Sequence, residues 1–132
     1  VIRRSLLRFA RTSAGGSLVR FALRRFPWLL PFERVPTRPG WIAFRHPAPS
    51  YPIHILIVPL PPMSGLNGLT PAEAGRLAAV FPVAFEIAGR LQLAQGWRLV
   101  VNGGRYQEVR LLHFHLLSGK NQISSALPGG AG

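Results

Sequence analysis

The chain has 132 residues, enough for one domain with a real hydrophobic core, and its 48% hydrophobic content argues against a wholly disordered polypeptide. It contains no cysteine, which excludes disulfides, thiolate metal sites and cysteine nucleophiles. Fifteen arginines and one lysine face four glutamates and no aspartate, a formal charge of +12; such a field draws phosphates, nucleic acids and anionic lipid surfaces, unless it only reflects an arginine-rich genome.

The first eleven residues, VIRRSLLRFAR, have the periodicity of an amphipathic helix. At about 100° per residue, Arg3, Arg4, Arg8 and Arg11 fall within an arc of roughly 140°, with Ile2, Leu6, Phe9 and Ala10 opposite. LVRFALRRF adds a second basic helical stretch before Pro27. Three readings of this arm stay open: it lies on an anionic membrane surface, it is an arginine-rich import sequence, or it packs its apolar side on the core. Neither apolar run approaches the roughly 18 uncharged residues that span a bilayer. With no cleavable secretory pattern in view, the expected location is cytoplasmic, with peripheral membrane attachment as the alternative.

PFERVPTRPG, residues 31–40, is proline-rich and predicts a connector. WIAFRH then predicts a first strand, HPAPSYP a rigid turn, and IHILIVP (53–59) a second strand that is β-branched and bounded by prolines. LPPMSGLNG is a loop. TPAE marks a helix start, with Thr70 as cap, Pro71 in the first helical position and Glu73 reaching back to the cap. That helix is expected to run towards Gln95 and stop at Gly96, with a kink or break at Pro82. WRLVVN (97–102) is a third strand, GGRYQE a turn, and VRLLHFHLL (109–117) a last strand before a loose tail. The connections are too short for parallel crossovers, so the order implies an α+β fold with an antiparallel β-sheet and one long helix.

The last strand carries the chemistry. Alternation puts Leu112, Phe114 and Leu116 on one face and Leu111, His113, His115 and Leu117 on the other, so two of the chain's four histidines share a side. His54, in the middle of the other apolar strand, is the natural third member. An imidazole, with an unperturbed pKa of about 6.5, is both nucleophile and proton carrier near neutrality. It can attack phosphorus and split one displacement into two, while a neighbour donates hydrogen bonds to the developing charge. Two other readings fit the pattern: buried histidines satisfied by backbone carbonyls, and a three-histidine zinc site. Zinc-bound histidines want outer carboxylates, and only Glu108 is near in sequence, so no metal is expected. Trp41 and Phe44 are candidates to line a base-binding cleft, with ordinary packing as the alternative. Asn-Gly-Gly at 102–104 is either a nest of N–H groups for phosphate or a tight turn. GGRYQ lacks the lysine and hydroxyl residue of a P-loop.

Three ordered blocks, HPAPSYPIHILIVP, LVVNGG and YQEVRLLHFHLLSG, resemble the histidine triad (HIT) superfamily over about residues 36 to 119. With the arm and tail read from composition and periodicity, the resemblance divides the chain into a basic amphipathic helical arm at 1–35, a HIT-like domain at 36–120 and a flexible C-terminal tail at 121–132. It implies His113 as the nucleophile that becomes nucleotidylated, with His115 and His54 beside it. It also implies Asn102 near the phosphate and Gln107 on the phosphate or leaving group. The implied reaction is attack on the α-phosphorus of a nucleoside phosphate derivative, as in a nucleotide phosphoramidase or dinucleoside polyphosphate hydrolase, with no cofactor. A homodimer is the implied assembly.

Four positions depart from the pattern. Leu111 replaces the first signature histidine, although its backbone carbonyl can still orient the nucleophile. Glu108 stands where many members have a small hydroxyl residue, His46 where many carry an acid for the ribose hydroxyls, and VPLPPM where a basic stretch is common. The alternative function is therefore a catalytically weak or silent HIT-like domain, a basic adaptor that binds a membrane surface or nucleic acid through Arg3, Arg4, Arg8 and Arg11.

Overall fold

The computed structural model describes residues 32–120. The predicted arginine arm, up to residue 31, and the predicted tail from residue 121 lie outside the described residues.

One antiparallel sheet runs in the order β1-β2-β3-β5-β4. Its strands are β1 (Arg34–Val35), β2 (Trp41–Arg45), β3 (Ile53–Pro59), β4 (Arg98–Val101) and β5 (Phe114–Ser118). The short strand β1 corrects the expectation of a plain connector. Arg34 and Val35 pair with Phe44 and Ala43, so the sheet begins before the boundary drawn at residue 36. Pro36 has no N–H to continue the ladder, which confines the strand to an edge.

The sequence runs largely apolar through both β2 and β3, interior strands whose two faces are both covered, with β3 central between β2 and β5. On one face Trp41, Ala43, Ile55, Ile57, Phe114 and Leu116 form the main core with the helical layer. On the other a smaller cluster joins Ile42, Phe44, Leu56, Val58 and Leu111.

The predicted long helix is present and carries the expected break near Pro82, which divides it into α1 (Pro71–Leu77) and α2 (Val80–Arg90). Thr70 and Glu73 form the expected reciprocal cap, Glu73 N–H donating to Thr70 Oγ1 at 3.2 Å and Thr70 N–H to Glu73 Oε2 at 2.8 Å. The break falls at residues 78–79, one turn ahead of Pro82. Pro82 cannot donate to the Ala78 carbonyl, which instead accepts from Phe81 N–H at 3.3 Å. The helical layer also ends before Gly96. Gln92 takes a left-handed φ of 55°, and Leu93 N–H reaches back to the Ala88 carbonyl at 3.0 Å. That is a Schellman stop with glutamine in the place usually held by glycine.

Buried α2 residues Val80, Val83, Ala84 and Ile87 cover the core face of the sheet. Arg90 Nη1 donates to the Pro36 carbonyl at 2.6 Å and Arg76 Nη2 to the Pro61 carbonyl at 2.6 Å, tying both helices to the loops around them. Among the described residues, no helix is long and apolar enough to cross a membrane.

The last strand is shorter than the apolar run predicts. Leu111 N–H turns back to the Val109 carbonyl at 2.8 Å, and Leu112 N–H bonds the Met63 carbonyl at 2.7 Å, so residues 109–113 leave the ladder. His113 therefore sits just outside the sheet, at the mouth of β5, on backbone pinned by its neighbours.

Candidate active site

All four histidines of the chain meet on the sheet face away from the helices. Strand register accounts for each contact. His46 follows β2 one rung beyond Arg45, its N–H bonded to the His54 carbonyl at 2.8 Å, which sets the two rings directly across from each other. They stack with centroids 4.2 Å apart. His54 pairs with Leu117 in β5, so His115 is its diagonal neighbour, and the two rings bond through His54 Nε2 and His115 Nδ1 at 2.9 Å. His113 lies edge-on to His115, centroids 4.8 Å apart. Analysis of the sequence missed His46 as a member of this row; its signal was the short HPAPSYP turn, which fixes the hairpin register.

Backbone groups settle where the protons are. Ser50 N–H donates to His54 Nδ1 at 3.2 Å, so neutral His54 carries its proton on Nε2 and donates it to His115 Nδ1. His115 then carries its own proton on Nε2, a buried atom without a hydrogen-bond partner among the described residues. Ala48 N–H donates to His46 Nδ1 at 3.0 Å, placing that proton on Nε2 as well. His113 has the opposite tautomer: Nδ1–H donates to the Leu111 carbonyl at 2.6 Å. Its Nε2 lone pair is left unused.

Burial keeps these rings neutral. His54 is only 8% exposed. Desolvation, followed by the neighbouring His46 and His113, pushes its pKa down to about 4. His115 lies between Leu56 and Val100 in the sheet. Desolvation and the other three histidines push it down to about 3. Burial also lowers His46 and His113, although the Leu111 carbonyl and the charge of Glu108 act on His113 in the opposite sense.

The remaining candidates divide. Asn102 stands one residue past the Val101–Phe114 pair, at the same end of the sheet as His113. Phe44 is on the histidine face but is 6% exposed and stacks on Phe32 at 5.1 Å. Trp41 is not in the cleft at all: it faces the helical core, 7% exposed, and packs against Phe114. In a strand, positions 41 and 44 point to opposite sides, which corrects their joint assignment.

Gln107 also departs from expectation. Its amide donates to the Ser64 carbonyl at 2.5 Å and the Val109 carbonyl at 3.0 Å, so it braces two loops and offers no N–H to a phosphate. Gly65 makes room for it; a Cβ there would lie 2.6 Å from Gln107 Oε1. Beside the row opens a cleft of about 260 Å³ walled by Phe32, Pro47, Pro49 and Pro52, with Arg45, His46 and His54 as its basic side. Arg45 Nε pairs with the exposed Glu33 carboxylate at 3.2 Å. Although the histidines meet, no three His, Cys, Asp or Glu side chains among the described residues are arranged to hold a metal ion.

The HIT domain pattern matches residues 31–122. The chain belongs to the HIT family. This HIT protein is 37% identical over 81 residues to a purine nucleoside phosphoramidase of Escherichia coli, covering 59% of this chain and 68% of the relative. It is 35% identical over 81 residues to a HIT-like protein of Synechocystis, covering 60% of this chain and 71% of that one. Among solved structures it resembles a HIT family hydrolase of Legionella pneumophila, with a TM-score of 0.66 and 31% identity over 72% of this chain and 88% of that one. A histidine triad protein of Clostridium difficile superposes with a TM-score of 0.67 and 31% identity, covering 72% and 85%. In this HIT protein Leu111 buries its side chain in the small apolar cluster and presents its carbonyl to His113.

Proposed function

We propose that this HIT protein is a nucleotide-binding hydrolase that acts at the α-phosphorus of a nucleoside phosphate derivative, with His113 as nucleophile. One observation carries the reading: of the eight ring nitrogens in the histidine row, only His113 Nε2 has a lone pair to which no described residue donates. Attack by that lone pair forms an N–P bond as the bond to the leaving group breaks. The Leu111 carbonyl holds the imidazolium that results through Nδ1–H. Water then attacks phosphorus, the N–P bond breaks, and a nucleoside 5′-monophosphate is released. A buried N–H with no partner costs stability unless a ligand answers it. The His115 Nε2–H meets that need with a phosphoryl oxygen as acceptor and stabilises the charge developing there. Asn102, just beyond the end of β4, adds a second polar contact to the phosphate. The alternative, a basic adaptor, rests on the arginine arm outside the described residues.

The test is release of AMP from adenosine 5′-phosphoramidate or a diadenosine polyphosphate across pH. The nucleophile must be unprotonated, and burial lowers its pKa, so activity is lost on acidification only below about pH 6.5, the ordinary imidazole value. An acid limb at or above that value contradicts a buried neutral nucleophile.

We also propose that two copies associate through the outer face of α2 and the edge strand β4. Phe81 and Phe85, one turn apart on α2, are 65% and 72% exposed, and Trp97 beside β4 is 36% exposed. Among the described residues β4 has only β5 as a neighbour, so its other edge can pair with a second β4. Sedimentation equilibrium is expected to show a dimer that Phe85→Glu converts to monomer; a monomeric wild type rejects the interface.

A further inference from the structure

Charge is unevenly shared along the chain. Seven arginines lie between residues 3 and 25 and no acid precedes Glu33, so more than half of the formal +12 belongs to the first quarter of the sequence. The acids of the described domain are engaged elsewhere. Glu33 pairs with Arg45, Glu86 with Arg38, and Glu73 is held in its own helix cap at Thr70. The seven arginines are left to water or to an anion from outside the chain. The residues between them say which anion. Residues 1–31 lie outside the described residues, and their sequence sets Ile2, Leu6 and Phe9 opposite Arg3, Arg4, Arg8 and Arg11 at helical spacing, then continues through Phe26 and Trp28. A polynucleotide has phosphates to meet the cations but no apolar phase to take up that second side. A leaflet of anionic lipid has both, and arginine alternating with phenylalanine, leucine and tryptophan is the composition of segments that lie in its interface. The longest uncharged run, residues 12–19, is far too short to cross a bilayer.

The chain enters the described domain at Phe32, whose ring stacks on Phe44 at 5.1 Å. Arg34 follows, exposed, on β1, which among the described residues has only β2 as a neighbour. With Arg38 it rims a shallow groove of about 410 Å³ along Pro36 and Trp41. These two cations extend the basic charge of the first 25 residues onto the edge of the sheet. We infer that the protein docks on an anionic lipid surface through residues 1–31, with the Arg34 edge of β1 turned towards that surface. The docking stands whether or not His113 is the nucleophile.

The deciding experiment is co-sedimentation of the full chain with vesicles of phosphatidylcholine alone or mixed in equal parts with phosphatidylglycerol. Binding is expected to the mixed vesicles and not to pure phosphatidylcholine. It should fall as salt rises from 0.1 to 1 M and the Debye length shrinks from about 10 to about 3 Å. Arg3→Gln, Arg4→Gln, Arg8→Gln and Arg11→Gln combined are expected to weaken it about 10²–10³-fold, the summed attraction of four cations, with thermal unfolding unchanged, while Arg→Lys at the same four positions keeps it. The chain's three tryptophans locate the contact. Trp41 is 7% exposed in the core and Trp97 stands beside β4, so quenching of fluorescence by brominated lipid is expected to vanish in Trp28→Phe. Quenching that persists in that variant puts the Trp97 patch at the lipid and overturns the assignment to residues 1–31. No binding to the mixed vesicles, or binding indifferent to salt and to the four arginines, overturns the inference. Tighter binding to single-stranded RNA than to the mixed vesicles overturns it in favour of a nucleic acid.

Discussion

His113→Ala is expected to lower turnover of a hydrolysed nucleotide substrate by about 10⁴-fold or more, because the chemistry then has no nucleophile to form the covalent intermediate. The row offers no substitute. His46 Nε2, His54 Nε2 and His115 Nε2 each carry the proton, and the matching Nδ1 atoms each accept a hydrogen bond. The fold tolerates the change: His113 lies outside β5, and its one protein hydrogen bond, to the Leu111 carbonyl, is worth about 1 kcal/mol. The measurement is kcat/KM for wild type and variant, alongside thermal unfolding of both. A loss of tenfold or less in a folded variant removes His113 from the nucleophile's role.

Ile57→Ala is expected to have the largest effect on stability, a loss of about 2–5 kcal/mol from a total of about 5–15 kcal/mol. Ile57 is 0% exposed and sits in the central strand, paired with Ala43 on one side and Phe114 on the other. It belongs to the main core with Ala84 and Ile87 of α2. Truncation leaves a cavity between two layers that cannot close without moving β3, the strand that carries His54. Urea unfolding reads the loss directly, with an unchanged slope and a lower midpoint. A midpoint within experimental error of wild type would mean that the sheet and α2 are not packed as described.

Much of this arrangement was legible in the residues. Prolines at 52 and 59 bracket β3, and the TPAE start of α1 is present as a reciprocal cap. The alternation in 111–117 sends Leu112, Phe114 and Leu116 to the core and His113 and His115 to the other face, although only 114–118 is strand. What was not legible depended on contacts distant in sequence. The five residues before Phe114 look like strand because they are apolar, and it is the Met63 carbonyl, far back in the chain, that draws Leu112 out of the ladder. Gln92 carries no compositional sign of a left-handed stop. Gln107 was expected at the phosphate, and its reach to Ser64 is set by how the loop before α1 folds back. The placement of Trp41 with Phe44 was a misreading that strand alternation alone would have corrected. The tautomers, on which the chemistry turns, depend on Ser50 and Ala48 amides that no residue-type pattern reveals.

The central claim is that His113 becomes covalently nucleotidylated. Intact-protein mass spectrometry tests it most directly, after brief incubation of wild type and His113→Ala with a dinucleoside polyphosphate and, separately, with adenosine 5′-phosphoramidate. The account predicts a mass increase of one nucleotidyl group on wild type with at least one of the two and none on the variant. An adduct that persists on His113→Ala, or turnover by wild type with no adduct at any time of quenching, would contradict it.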